Sequence, residues 1–518
     1  MAAPVAIVVT GVLVPLGYLF VRAFEADPQT LWDLVVRWRN LRLLGNTVGL
    51  TAGVLVLTTL IAFPLAWLTT RTDLRGRGIL TLLGVLPLAV PGYVMAYVLL
   101  ATSGVYGTLS QTLGLVLPRP SGFTGALLAL TLVTYPYLFL NLRTGLLGVD
   151  PAVGESAQAL GYSRWEVFVT VVLPQLRPGF LAGSLLVGLH VLGDFGVVSL
   201  MRFETFSYAL YLQYAASYDR IYAACLALML LALTVAVLFF EARLLRGLLL
   251  HRTGTGTSRR AAPYRLGAWR WAGYAFAGGL GLASVGLPVV TVGYWMADTV
   301  ATGLPWTNLL TSLWASVSAS APAALLAALL ATPIAYLGVR YRSGWTQGIE
   351  RIAYLGYATP PLAFALALIV FTLGAVPFAY QTLALLVTAY ALHFMAEAIG
   401  PIRSALYQVP PHLEEAARSL GRSPLGAFTS VTFPLMRRGL LVSIAFVFLS
   451  AMKELPLTFL LAPVGFETLA INAWSYAEEA MFDQAAPFAL TIMFFSACFV
   501  GLLLVRERTA RSREPDAA

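Results

Sequence analysis

The chain has 518 residues, of which 59% are hydrophobic and 11% charged, with a formal net charge of +9. Water-soluble domains carry roughly 45 to 50% apolar and about 25% charged residues, so a soluble globular protein is excluded. The positive charge is spread over the loops between apolar runs and forms no single patch, which argues against a nucleic-acid partner.

Apolar segments of about 20 residues, the length that crosses the hydrocarbon of a bilayer, follow one another near 5–23, 44–70, 79–101, 123–147, 179–200 and 221–245. A polar linker at 251–270 separates these from six more, near 271–296, 310–339, 350–373, 380–400, 438–461 and 485–505. The pattern predicts an all-α polytopic membrane protein of about 12 transmembrane helices in two six-helix halves, 1–250 and 271–518. The first segment reads as a retained span, because Ala23 to Pro28 shows no clear small-residue cleavage site and Pro15 has a counterpart in Pro288.

A polar segment occurs twice at a spacing of 260 residues, with ten identities in 25 aligned positions. Glu155, Ala157, Leu160, Gly161, Ser163, Phe168, Val171, Pro174, Arg177 and Gly179 return as Glu415, Ala417, Leu420, Gly421, Ser423, Phe428, Val431, Pro434, Arg437 and Gly439. Upstream, at an offset of 269, Pro64, Arg71 and Pro91 align with Pro333, Arg340 and Pro360. Downstream, Phe203-Glu204-Thr205 matches Phe466-Glu467-Thr468, and Asp219 lies near Asp483. Six spans per half is an even number, so the two halves are parallel repeats.

Within the segment, each copy reads as two short helices joined by a turn. Asp150-Pro151 supplies an N-cap and a first-turn proline, and Gly161 stops the first helix. Ser163 restarts the chain at capping-box spacing to Glu166, and Pro174 is expected to close the second helix before the next span. The second copy uses Pro410-Pro411, Gly421 and Ser423-Pro424 in the same places.

Orientation follows from the arginines, since basic residues are retained on the cytoplasmic side. With the N-terminus inside, the cytoplasmic segments hold 25 of the 33 basic residues, and the opposite face holds Arg22, Arg37, Arg39, Arg42, Arg119, Arg202 and Arg220. Both polar repeats, the linker with Arg259 and Arg260, and the C-terminal tail with Arg506, Arg508, Arg511 and Arg513 are therefore expected in the cytoplasm.

Lys453, the only lysine, sits in Ala451-Met452-Lys453-Glu454-Leu455, which is no phosphate-binding loop, so any nucleotide hydrolysis belongs to another polypeptide. Cys225 and Cys498 lie in predicted spans, and His190, His251, His393 and His412 show no ligand spacing. Neither a disulfide framework nor a bound metal is expected. His190 and His393 are read as packed interhelical residues.

The motif Glu155-Ser-Ala157-Gln-Ala-Leu-Gly161 through Leu173-Pro174, with Glu415-Ala-Ala417-Arg-Ser-Leu-Gly421 through Phe433-Pro434, resembles the Glu-Ala-Ala loop of permease subunits of binding-protein-dependent ABC importers. Ser156 departs from the usual alanine in the first copy. In that family the loop forms a coupling helix seated in a groove of the ATPase subunit. The resemblance implies that role for two loops, 150–174 and 410–434, through Glu155, Ala157, Gly161, Pro174, Glu415, Ala417, Gly421 and Pro434. It also implies a type I importer fold in a bacterial inner membrane with both termini cytoplasmic. The implied partners are two copies of a cytoplasmic ATPase that carries ATP and Mg, an external binding protein and membrane lipid. On this reading the chain is no enzyme and binds no cofactor.

Three further stretches resemble the fused twelve-span ferric-iron group: 71–78 with Leu86-Pro-Leu-Ala-Val-Pro-Gly92, then Gly193-Asp-Phe-Gly-Val-Val-Ser199, and Met452-Lys-Glu-Leu-Pro-Leu-Thr458. Fused permeases for thiamine, aminoethylphosphonate and sugar phosphates share the architecture and stay as alternatives. A secondary transporter of the major facilitator type also has twelve spans in two parallel halves, but its loop signature is out of register at 71–78.

Ionisable groups inside predicted spans are candidates for the substrate path, because each costs about 2.5 to 3.5 kcal/mol on insertion scales. Asp194 aligns with Glu454, beside Lys453, while Glu204 and Glu467 fall in aromatic-rich outer segments. The competing reading is structural: a carboxylate paired with a base or satisfied at a helix end, or solvated in a loop.

Overall fold

The computed structural model describes residues 2–25, 27–149, 151–215, 220–245, 263–341 and 343–511. Asp150, Asp219, His251, Arg259, Arg260 and Arg513 lie outside the described residues, as does the linker up to residue 262. Among the described residues, nine helices are long and apolar enough to cross a membrane, or up to twelve if each of three bent pairs is one span. The protein is all-α, and the predicted spans at 79–101, 350–373 and 380–400 are the three that bend.

The first two bends have a common cause. Arg77–Ala89 meets Gly92–Thr102 at 94°, and Gly344–Ala358 meets Pro361–Ala375 at 105°. They break at Pro91 and Pro360, the pair aligned between the repeats. Proline forces the preceding residue out of the α region, and Val90 and Thr359 are extended, with ψ of 113° and 127°. Each proline then stands as N-cap of the following helix, where its missing N–H has no helical partner to lose. The third bend, 52° between Leu383–His393 and Met395–Tyr407, has no proline at its break.

Pro174 and Pro434 do not close their helices. Each lies inside one continuous helix, Arg164–Gly193 and Pro424–Met452. A proline inside an α-helix removes one N–H and clashes with the carbonyl four residues back. The chain relieves this with a π-turn directly upstream, Phe168–Val172 and Phe428–Thr432, in which Leu173 and Phe433 donate to the carbonyls of Phe168 and Phe428, five residues back. A third π-turn, Leu282–Gly286, stands in the same relation to Pro288.

The helices carrying the first two π-turns pack closely on the preceding spans, Gly122–Gly148 and Met395–Tyr407. The repeated glycines make that approach possible. A Cβ on Gly179 would lie 3.0 Å from the Asn141 carbonyl oxygen, and one on Gly439 would lie 2.7 Å from that of Pro401, the equivalent position.

The compact units do not coincide with the sequence halves. One comprises Met1–Arg42, Phe206–Ala232 and Gly303–Tyr476, and the other Leu43–Thr205, Leu233–Thr302 and Ala477–Ala518. In the first unit, Ala2–Ala23 packs on Gly344–Ala358 and Pro361–Ala375. In the second, Leu287–Thr302 packs on Gly92–Thr102 and Phe482–Arg511. The first span of each repeat is thus built into the core of the other, an exchange that hydropathy cannot register.

Candidate functional site

Each polar segment is a short helix, Pro151–Ala159 or Pro411–Ser419, followed by a left-handed glycine and a second helical start. The turn closes as a Schellman motif, in which a residue after the cap reaches back across the helix end. Tyr162 N–H donates to the Ala157 carbonyl at 3.1 Å, and Arg422 N–H donates to the Ala417 carbonyl at 3.1 Å. Gly161 and Gly421 have φ of +94° and +86°. A Cβ would meet nothing within 4 Å at either site, so backbone conformation and not space selects glycine.

The restart differs between the copies. Ser163 Oγ accepts from Glu166 N–H at 3.2 Å while Ser163 N–H donates to Glu166 Oε2 at 2.7 Å, the capping box expected from the spacing. Ser423 Oγ accepts from Gly426 N–H at 3.1 Å, and Gly426 has no side chain to return the bond.

What each segment exposes is the same in kind. Leu160 and Trp165 are 79% and 71% exposed, and the equivalent Leu420 and Leu425 are 87% and 73% exposed. Val153 and Leu413 extend both surfaces, and Glu155 and Glu415 stand exposed beside them. Large apolar side chains exposed on polar, Gly-punctuated turns mark a surface for contact with protein or membrane.

Two arginines anchor these segments, and the sequence showed them only as a repeat match. Arg71 Nη2 donates to the carbonyls of Leu146 at 2.7 Å and Val149 at 3.3 Å, and Arg340 Nη2 donates to that of Val409 at 2.9 Å. Val149 and Val409 stand two residues before the helices begin, so Arg71, just past Trp38–Thr70, and Arg340, the last residue of Trp306–Arg340, each hold a segment to the end of a span. Aromatic rings repeat the link: Trp67 meets Phe168 edge-on at 5.5 Å, and Tyr336 meets Phe428 at 5.6 Å.

The expected path residues lie at helix breaks. In one unit, Leu173–Gly193 ends at Asp194, whose Oδ1 accepts from the N–H groups of Val197 at 2.9 Å and Val198 at 3.3 Å. A Cβ on Gly92, just past the Pro91 bend, would lie 3.3 Å from Asp194 Oδ2. In the other unit, Phe433–Met452 ends at Lys453, and Glu454 Oε1 accepts from Leu457 N–H at 3.1 Å. Both carboxylates therefore have a structural use at the start of a short helix.

Beside Lys453 the structure adds Glu397, within Coulombic reach of the ammonium, with Oε2 accepting from Ser450 Oγ at 2.6 Å. The equivalent positions in the other repeat are Tyr137, His190 and Gly193, with the rings of Tyr137 and His190 5.8 Å apart. Glu467 is exposed, and the Glu204 carbonyl accepts from Asn46 Nδ2 at 2.8 Å. His393 is packed as expected, among Tyr357, Phe364 and Phe394, with Nδ1 3.0 Å from the Gly356 carbonyl.

The family of binding-protein-dependent transport system inner membrane components matches this chain twice, over residues 58–249 and 323–508. An Fe(3+)-transport system permease protein of Haemophilus influenzae is 30% identical over 94% of both chains. A probable ABC transporter permease protein of Sinorhizobium fredii is 25% identical, covering 99% of this chain and 96% of its own. A molybdenum transport system permease protein of Escherichia coli is 34% identical over 25% of this chain and 58% of its own. The chain belongs to the binding-protein-dependent transport inner membrane family, with the permease domain present twice in one polypeptide. It is a multi-pass inner membrane permease of an ABC importer and not an enzyme. ATP hydrolysis lies on a separate subunit, and a substrate-binding protein is a partner.

Proposed function

We propose that this chain is the complete membrane-spanning unit of a ferric-iron importer, and that each polar segment docks one of two ATPase subunits. The carrying observation is the repeated helix, left-handed glycine and helix, with exposed apolar side chains at equivalent positions in both copies. Glu155, Ala157, Gly161 and Pro174, and Glu415, Ala417, Gly421 and Pro434, form the two docking elements. ATP and Mg belong to the ATPases, and the chain itself holds no cofactor. The distribution of arginines supports cytoplasmic termini and cytoplasmic docking segments.

Closure of the ATPases on ATP would move Pro151–Ala159 and Pro411–Ser419. Arg71 and Arg340 would pass that motion to the spans, which would open the path to cargo delivered from outside. Hydrolysis would reset the cycle. Asp194, Glu454 and Lys453 are assigned to the path, with Glu204 and Glu467 at its outer approach. Ferric iron is favoured as cargo because the similarity to the Haemophilus influenzae permease extends over 94% of both chains.

The test is Glu415→Arg and Gly421→Asp in cells carrying the partner subunits. Normal membrane insertion with loss of ATPase association, and a drop in Fe(III) uptake of about tenfold or more, is the expected result. Intact association and uptake in both variants would sink the docking assignment.

A further inference from the structure

Glu414 is the one buried carboxylate of the Pro411–Ser419 helix, while its neighbour Glu415 is exposed. Its two oxygens take bonds from two different elements. Tyr336 Oη, on Trp306–Arg340, donates to Oε1 at 2.5 Å, and Thr432 Oγ1, at the end of the π-turn, donates to Oε2 at 3.0 Å. One turn along from Tyr336, Arg340 holds the Val409 carbonyl, so the helix is fixed both at its entry and along its inner face.

In the other repeat the three positions are Trp67, Gly154 and Val172, none with a hydroxyl or carboxylate. The ring contact is kept, since Trp67 lies on Phe168 as Tyr336 lies on Phe428. The hydroxyl-to-carboxylate bonds at these three positions are missing, while Arg71 keeps its bonds at the helix entry. A Cβ on Gly154 would lie 3.5 Å from Val167 Cγ1, so this helix rests on side chains of its own segment.

We infer that Tyr336, Glu414 and Thr432 form a latch that makes the second polar helix move as one body with Trp306–Arg340 and Phe433–Met452. The first polar helix is tied to its span at its entry, through the Arg71 bonds to the Leu146 and Val149 carbonyls, but has no latch along its body and can pivot about that entry on its apolar seat. Motion of the ATPases is thus transmitted mainly through the second segment. Glu414 acts as a positioning residue, since its carboxylate faces inward and not toward the docking surface. The inference rests on the reading of Pro411–Ser419 as an ATPase-docking helix.

The experiment uses the full complex, the permease with its ATPase and binding protein, in proteoliposomes. Two quantities are read: ATPase co-purification, and radiolabelled Fe(III) taken up per ATP hydrolysed. Glu414→Ala leaves two buried hydroxyls without their acceptor, and the expected result is retained association with about a fivefold fall in uptake per ATP. Glu414→Gln keeps an acceptor for Tyr336 and restores the ratio to within about twofold of wild type. The triple variant Tyr336→Trp, Glu414→Gly, Thr432→Val copies a packing solution the molecule already uses, and should lose the ratio as Glu414→Ala does.

An unchanged ratio in either the alanine or the triple variant overturns the latch. Loss of ATPase association in Glu414→Ala also overturns it, since the residue would then belong to the docking surface. Should Glu414→Ala fail to insert, Tyr336→Phe removes one bond and keeps the ring on Phe428, and must still lower the ratio. Failure of the docking reading is a separate result, association that survives Glu415→Arg.

Discussion

At 151–174 Arg71 ties the entry of a helix that ends in a left-handed glycine, its body is seated with Trp67 against Phe168 and Gly154 over Val167, and a capping box fixes the restart at Ser163. At 411–434 the same backbone is tied by the Tyr336, Glu414 and Thr432 bonds, and the restart keeps only one of the two capping bonds. The exposed face is alike in the two copies and the buried face is not. Duplication has preserved what a partner would touch, while each copy has found its own way of holding that surface to the spans. Polar links carry direction as well as adhesion, because a buried hydroxyl that loses its acceptor is penalised at once. Apolar seats tolerate sliding.

The arginine anchors are the first place to break this comparison. Arg71 grips two carbonyls and Arg340 grips one. Hydrogen bonds from charged groups contribute about 1.5 to 3 kcal/mol each, so Arg71→Ala should destabilise by about 3 kcal/mol and Arg340→Ala by about 2 kcal/mol. Thermal unfolding of the purified complex checks the order. An equal loss in both would mean that the Glu414 latch leaves more resting on Arg340 than its single bond indicates.

The caps give the smaller effect and sharpen the contrast. Ser163→Ala removes one bond of a reciprocal pair and should loosen the restart at 163–167 by about 1 kcal/mol, whereas Ser423→Ala should cost about 0.5 kcal/mol. Amide exchange at Glu166 and Gly426 reads the difference directly. A larger rise in exchange at Gly426 on Ser423→Ala than at Glu166 on Ser163→Ala would reverse the assignment of the stiffer restart to the first copy.

Much of the fold was legible because apolarity over about 20 residues has few other causes. The bends at Pro91 and Pro360 were marked by aligned prolines, and Gly161 and Gly421 by the need for positive φ. Pro174 misled, because a proline that ends a helix and one that is absorbed by a π-turn look the same in sequence. The exchange of first spans between compact units left no sequence signal, since the lipid-facing and core-facing sides of a span are both apolar. Arg71 and Arg340 were visible as a repeated pair without a stated use. Glu414 was hidden by the repeat itself, because the comparison that exposed Glu415 shows glycine at the neighbouring position. Its partners lie 78 and 18 residues away.

The native mass of the purified complex shows whether one chain carries both ATPase-docking sites, and one permease chain with two ATPase subunits is the expected result. Two permease chains bound to two ATPases would contradict it.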